Sequence, residues 1–129
     1  MSMINLQFDS IGKQFVDHYY KTFDSNRAQL HSLYAATSML SFENEQFQGV
    51  DAIIKKLTSL PFSQVKHEIV TTDCQPNCTN NGVIVLVTGT LLVDGGAQPL
   101  KYAQCFHLVP SPTGAGYFVA NDMFRLNYG

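Results

Sequence analysis

A chain of 129 residues that is 45% hydrophobic is long enough to bury one sizeable core and reads as a single domain, 1–129. Its charged fraction is only 14%, against ~25% in ordinary soluble domains, which points to a surface partly given over to contacts. A formal net charge of −2 without any Lys/Arg cluster supplies no positive field for phosphates and argues against nucleic acid as a direct partner.

No segment approaches the ~20 apolar residues of a membrane span. Met1-Ser2-Met3-Ile4-Asn5 lacks a basic region followed by an apolar run, so the expectation is a soluble, intracellular protein with no membrane insertion. Cys74, Cys78 and Cys105 are an odd set, and in such a chain free thiols are expected. For the same reason the sequon Asn77-Cys78-Thr79 is expected to stay unused. Nine Phe and six Tyr serve both a core and contact surfaces.

In chain order, Phe8, Ile11, Phe15, Tyr19 and Phe23 recur at three- and four-residue steps, which predicts a helix of about four turns with one buried face. Asp9 or Ser10 is its candidate cap. A second short helix is expected from near Ser25, burying Leu30, Leu33 and Tyr34, with Asp24, Ser25 or Asn26 as cap. Ser38 to Phe42 alternates as a short strand and ends in the turn Glu43-Asn44-Glu45. Gly49 opens a third helix carrying Ile53, Ile54, Leu57 and Leu60, and Pro61 closes it by disfavouring helical geometry at the residue before it.

Beyond Pro61 the chain reads as antiparallel strand. Val65 to Cys74 alternates, and Gln75-Pro76-Asn77 breaks the run. Asn80-Asn81-Gly82 then turns into Val83–Val93, whose nearly continuous apolar run implies burial on both faces. Asp94-Gly95-Gly96 leads into Leu100–Val109, and a turn over 110–116 leads into a last strand from Tyr117 to about Leu126. Three helices on the N-terminal side of a four-strand meander make an α+β fold. A sheet of this length twists and curves, which leaves a cone-like hollow around the helices.

Asn121-Asp122-Met123-Phe124-Arg125-Leu126, Phe47-Gln48-Gly49 and Ser59-Leu60-Pro61-Phe62 resemble the signature segments of the nuclear transport factor 2 family. His18-Tyr19-Tyr20, Phe23-Asp24, Arg27 and Gln75-Pro76 follow the same order and approximate spacing, so the resemblance spans nearly the whole chain. It implies a curved antiparallel sheet wrapped around N-terminal helices, a cystatin-like roll. It also implies a homodimeric, non-enzymatic carrier without cofactor or metal. Such a carrier binds the small GTPase Ran in its GDP form and the FxFG repeats of nucleoporins, and moves between cytoplasm and nucleus through the pore at the nuclear envelope.

The mouth of the hollow is expected to be lined by Phe42, Glu43, Leu60, His67, Leu86, Asp94, Met123 and Phe124. By the resemblance, an apolar pocket there takes a phenylalanine of Ran while an acidic rim meets basic residues beside it. Phe42, Glu43, Leu60, His67, Asp94 and Phe124 are the implied Ran contacts. Phe8 is the implied nucleoporin contact, and Leu86 and Met123 lie near the implied dimer interface. Phe42 and Phe8 stand where other members carry tryptophan, and Gly96 stands where a second rim acid is common. Without the resemblance, Glu43 and Asp94 read as solvated turn acids, His67 as a hydrogen-bonded, partly buried histidine, and Phe8 as helix packing. Met123 and Phe124 point to opposite sheet faces, so one belongs to the core.

Two other classes compete. An isomerase or dehydratase would use His67 with Asp122 across strands as an acid/base pair in the hollow. Asp73 shares the strand with His67 but lies ~20 Å along it. An export-cofactor scaffold of the same fold would not need both Glu43 and Asp94. Cys74, Cys78, Cys105 and His107 are ligand types for zinc, but their spacing matches no common knuckle.

Overall fold

The structure is a computed structural model and describes residues 6–78, 80–114 and 116–127. Met1–Asn5 and Thr79 of the sequon lie outside the described residues. Helix α1 spans Phe8–Ser25 and buries Val16, Tyr19, Tyr20 and Phe23 on the face that the periodicity marks. Neither Asp9 nor Ser10 caps it. Gln7 holds the cap position, and the Ser10 hydroxyl donates back to the Gln7 carbonyl (3.2 Å). Arg27–Leu33 is a 3-10 helix capped by the Asn26 side chain, which accepts from the Ala28 N–H (3.2 Å).

Strand β1, Tyr34–Phe42, starts four residues before the expected Ser38. Glu43 and Asn44 turn it back into β2, Glu45–Gln48, an edge strand that the sequence reading does not anticipate. Its one apolar residue, Phe47, gives no alternation to read. Helix α2, Val50–Thr58, follows Gly49, whose φ of 90° is a left-handed value that other residues rarely adopt. The long strands β3, Val65–Asn77; β4, Gly82–Val93; β5, Leu100–Pro110; and β6, Tyr117–Asn127 complete the chain.

The six strands form one open sheet in the order β2-β1-β6-β5-β4-β3. It is mixed and not wholly antiparallel as expected, because β1 and β6 run parallel. Register shifts interrupt the β3–β4, β5–β6 and β1–β6 pairings, and such bulges bend strands and strengthen twist. At the β1–β6 irregularity the buried Ser38 hydroxyl accepts from the Ala35 N–H (2.8 Å) and donates to the Val119 carbonyl (2.5 Å).

All helices sit against one face. Val83, Val85 and Val87 of β4, Phe106 and Leu108 of β5 and Val119 of β6 are fully buried there. Gly12 lets α1 approach the sheet, since a Cβ at this position would press on Cys74 Sγ and lie 3.1 Å from Val85 Cγ2. The opposite face is bare in the single chain, with Ile84 40%, Leu86 44% and Met123 53% exposed. Burial of β4 on both faces, expected from its composition, is therefore not met within one chain.

Candidate functional site

Where the curved sheet opens away from α1, a cavity of about 310 Å³ remains. Tyr19 and Phe23 of α1, Leu40 and Phe42 of β1, and Leu57 with the Leu60-Pro61-Phe62 loop form one side. Val65 and His67 of β3, Leu91 and Val93 of β4, Gln104 of β5, and Phe124 and Leu126 of β6 form the other, with Asp94 at the edge.

Register builds an aromatic ladder through the sheet side. Phe42 and Phe124 are partners in the β1–β6 pairing and stack at 4.7 Å with 11° between planes. Phe124 stacks on Tyr102 (5.6 Å, 20°), and Tyr102 meets His67 edge-on (5.4 Å). The ammonium of Lys56 lies 5.4 Å from the centre of the Phe42 ring and 5.6 Å from that of Phe47, and it pairs with Glu45 at 2.8 Å. This is favourable because the ring faces carry negative charge density.

The loop wall is held by a cation. Arg27 donates to the carbonyls of Leu57 (3.2 Å) and Phe62 (2.7 Å), and its guanidinium lies 4.7 Å from the Phe62 ring centre. Pro61 lines the cavity, so these bonds fix the segment that closes one side.

His67 is held by Asp24. Its backbone N–H donates to Asp24 Oδ2 (2.9 Å), and its Nδ1 lies 2.6 Å from Asp24 Oδ1. A carboxylate accepts, so Nδ1 carries a proton and Nε2 is left over. The side chain is 3% exposed, against 24% for Asp24, and Tyr20, Phe23 and Tyr102 surround the ring.

Beneath the cavity, Asp122 is 1% exposed. Gln104 Nε2 donates to its Oδ1 (2.8 Å), the Tyr34 hydroxyl donates to its Oδ2 (2.7 Å), and the Tyr19 hydroxyl is 3.5 Å from Oδ2 and 3.1 Å from the Tyr34 oxygen. The Tyr20 hydroxyl donates to Gln104 Oε1 (2.7 Å). Burial pushes the Asp122 carboxyl up to about 6 from its usual 3.8, although the bonds from Gln104, Tyr34 and Tyr19 pull it back. The same burial, with Asp122 nearby, raises Tyr19 and Tyr34 well above the ordinary phenol range.

The structure thus brings Phe42, Leu60, His67, Asp94 and Phe124 to one cavity. Glu43, Leu86 and Met123 do not line it. They line a separate groove of about 470 Å³ on the bare face of the sheet, with Ser41, Gln46, Cys105 and Arg125. The reason is strand alternation: Phe124 faces the helices and Met123 faces away. Glu43, at φ 60°, accepts the Leu126 N–H through Oε1 (2.5 Å). Asp94, at φ 50°, accepts the N–H groups of both Ser63 and Gln64 through Oδ1 (2.9 Å each). Both rim acids therefore shape backbone, each with its other oxygen left over.

Phe8 is half-buried and packs against the core. His67 pairs with Asp24 and not with Asp122, which is satisfied within its own network, while Asp73 pairs with Leu86 across the sheet far along β3. Cys74 lies under α1 and Cys105 on the bare face, and no metal-holding cluster exists among the described residues. Sequence reasoning passed over Lys56, and it gave Arg27 and Gln104 no role. An interrupted alternation, with polar Gln104 between Tyr102 and Phe106, was the available sign of a buried amide.

Residues 11–126 match the nuclear transport factor 2 (NTF2) domain. The chain is 51% identical to nuclear transport factor 2B of Arabidopsis thaliana over 126 residues, covering 98% of this chain and 99% of that protein. It is 54% identical to nuclear transport factor 2 of Emericella nidulans over 121 residues, or 94% and 96% of the two. The solved structure of nuclear transport factor 2 from Cryptosporidium parvum superposes with a TM-score of 0.90 at 54% identity, covering 96% of this chain and 98% of that one.

Proposed function

The chain belongs to the nuclear transport factor 2 family, and from that membership and its cavity we propose that it is a nuclear transport carrier that binds Ran in the GDP form. The observation that carries this reading is the 310 Å³ apolar cavity with a stacked aromatic wall, in a chain half-identical to named transport factors. An aromatic side chain inserted there exchanges water for ring contacts and supplies affinity, while charge at the edge orients a basic partner. Phe42, Leu60, His67 and Phe124 form the pocket, Asp94 supplies the edge charge, and Glu43 contributes from the adjoining groove. Discrimination between nucleotide states resides in the GTPase, whose mobile segment presents the aromatic in one state only.

Three further parts belong to the same reading. Phe8, half-buried at the start of α1, offers an apolar edge for FxFG repeats of nucleoporins. The bare sheet face with Ile84, Leu86 and Met123 packs against a second copy, which covers surface that would otherwise promote aggregation. Two copies then carry two cargo sites and two pore contacts, which raises avidity without tighter single contacts. The protein works between cytoplasm and nucleus at the pore and performs no chemical step.

Calorimetric titration with Ran loaded with GDP, and separately with a GTP analogue, tests the reading. Binding to the GDP form alone is expected. Equal binding of both forms, or of neither, overturns it.

A further inference from the structure

The cavity wall carries a ring nitrogen that no side chain around it engages. His67 lines it, its side chain is 3% exposed, and Nδ1 is committed to Asp24 at 2.6 Å. The remaining ring nitrogen, Nε2, has no hydrogen-bond partner among the described residues. Because Asp24 takes the Nδ1 proton as acceptor, neutral His67 presents a lone pair at Nε2. Gln104, the other amide on the wall, is occupied on both ends by Tyr20 and Asp122. The lining is otherwise apolar and aromatic, apart from Asp94 at the edge.

A water at Nε2 finds few further polar partners in a lining that is mostly apolar and aromatic, whereas an ordered buried water uses two to four. A ligand that brings its own apolar body and a single donor fits better. A benzene-sized ring occupies a cavity of ~150 Å³ in an engineered protein core, so 310 Å³ accepts one ring with a short alkyl chain. The ring would lie along the stacked Phe42 and Phe124 rings, both of which line the cavity. Offset contact between rings adds to area burial.

We propose that this cavity is a binding site for small neutral phenols, with the aromatic body on the Phe42–Phe124 pair and the hydroxyl donating to His67 Nε2. Asp24 acts through His67: it fixes the tautomer and so makes the site an acceptor. A neutral ketone or ether of the same shape brings no donor and leaves Nε2 unpaired, which is the basis of selectivity. The proposal concerns the free protein and stands apart from the GTPase reading, since it needs no partner protein to be tested.

The probe is 4-propylphenol, compared with 4-propylanisole, which has nearly the same shape and no donor. Binding is read by calorimetry and by the 15N shift of His67 Nε2 in the full-length protein. The expected result is saturable binding of one phenol per chain, a shift at Nε2, and at least about tenfold weaker binding of the anisole, as one buried hydrogen bond implies. His67→Phe should abolish the preference and bind both compounds alike. Leu60→Trp, which fills the mouth, should lower binding of both. If wild-type protein binds the two compounds equally, or neither, or if the phenol binds without moving the Nε2 resonance, the proposal is wrong. The wild-type shift decides the matter even where His67→Phe does not fold.

Discussion

Asp122→Asn isolates the cost of keeping a carboxylate in the core. The side chain is 1% exposed, so its ionised form has almost no solvent to screen it, and burial raises its folded value to about 6 from 3.8. Between these two values the folded state holds a proton that the unfolded chain has released. Stability therefore falls as pH rises through this window and levels off above it. A difference of about two pH units corresponds to about 3 kcal/mol, of which about 2 kcal/mol develops between pH 4 and pH 7. Asparagine has no such proton to lose. Its Oδ1 still accepts from Gln104, and its Nδ2 donates to the Tyr34 oxygen, whose own proton turns to Tyr19 at 3.1 Å. Urea unfolding from pH 4 to pH 8, at one protein concentration, measures both proteins. The expected outcome is that the difference in unfolding free energy shifts in favour of the asparagine variant by about 2 kcal/mol from pH 4 to pH 7. Parallel profiles would refute the reasoning, because they would mean that Asp122 titrates alike in both states.

Other perturbations test the remaining parts. Gly12→Ala gains up to about 1 kcal/mol of helix propensity but drives a methyl into Cys74 and Val85; a net loss of about 1–2 kcal/mol is expected by thermal or urea unfolding. Adding Cys74→Ala should recover most of it, and failure to recover would place the strain elsewhere. Arg27→Met keeps the stem but loses both carbonyl bonds to the Leu57–Phe62 segment, with an expected loss of about 1–3 kcal/mol; an unchanged urea midpoint would show that the loop needs no clamp. Met123→Glu places a charge on the bare face and is expected to halve the mass in analytical ultracentrifugation. A wild type that already sediments as a single chain would refute the dimer.

Legibility in the sequence followed the range of the interactions. The face of α1 and the start of α2 could be read because one turn of helix fixes which residues share a side, whereas α2 ends at Thr58 and leaves Leu60, expected on it, in the loop before Pro61. The parallel pairing of β1 with β6 could not, since it joins Tyr34 to Val119 and depends on everything folded between them. In β4 the apolar run was read as cover on both sides, but sequence does not distinguish cover by the chain's own helices from cover by another chain. Ile84 and Leu86 sit on the side that the helices leave bare. At the site, His67 is implied by the resemblance, whereas its partner, Asp24, comes from the far end of α1 and reads in the sequence as a candidate helix cap. Glu43 is implied at the hollow by the resemblance and reads otherwise as a solvated turn acid; only the register of β6 shows that its carboxylate reaches the Leu126 N–H.

The double use of the rim acids decides how their charge must be tested. Replacing Asp94 by lysine would remove the Oδ1 acceptor that orders Ser63 and Gln64 as well as the charge, so weaker binding would report either effect. Asp94→Asn separates them. Asparagine keeps an acceptor oxygen, tolerates the left-handed φ of 50°, and removes only the negative charge. Because Asp94 is exposed, solvent and salt screen its attraction, and a rim pair of this kind contributes up to about fivefold in affinity. The expected outcome is an unchanged thermal midpoint together with GDP-form Ran binding weakened by up to about fivefold, chiefly through slower association and most visibly at low salt. An affinity unchanged at low salt would leave Asp94 as a backbone clip for the start of β3 and move the acidic contact to Glu43, where the matching charge-only variant is Glu43→Gln.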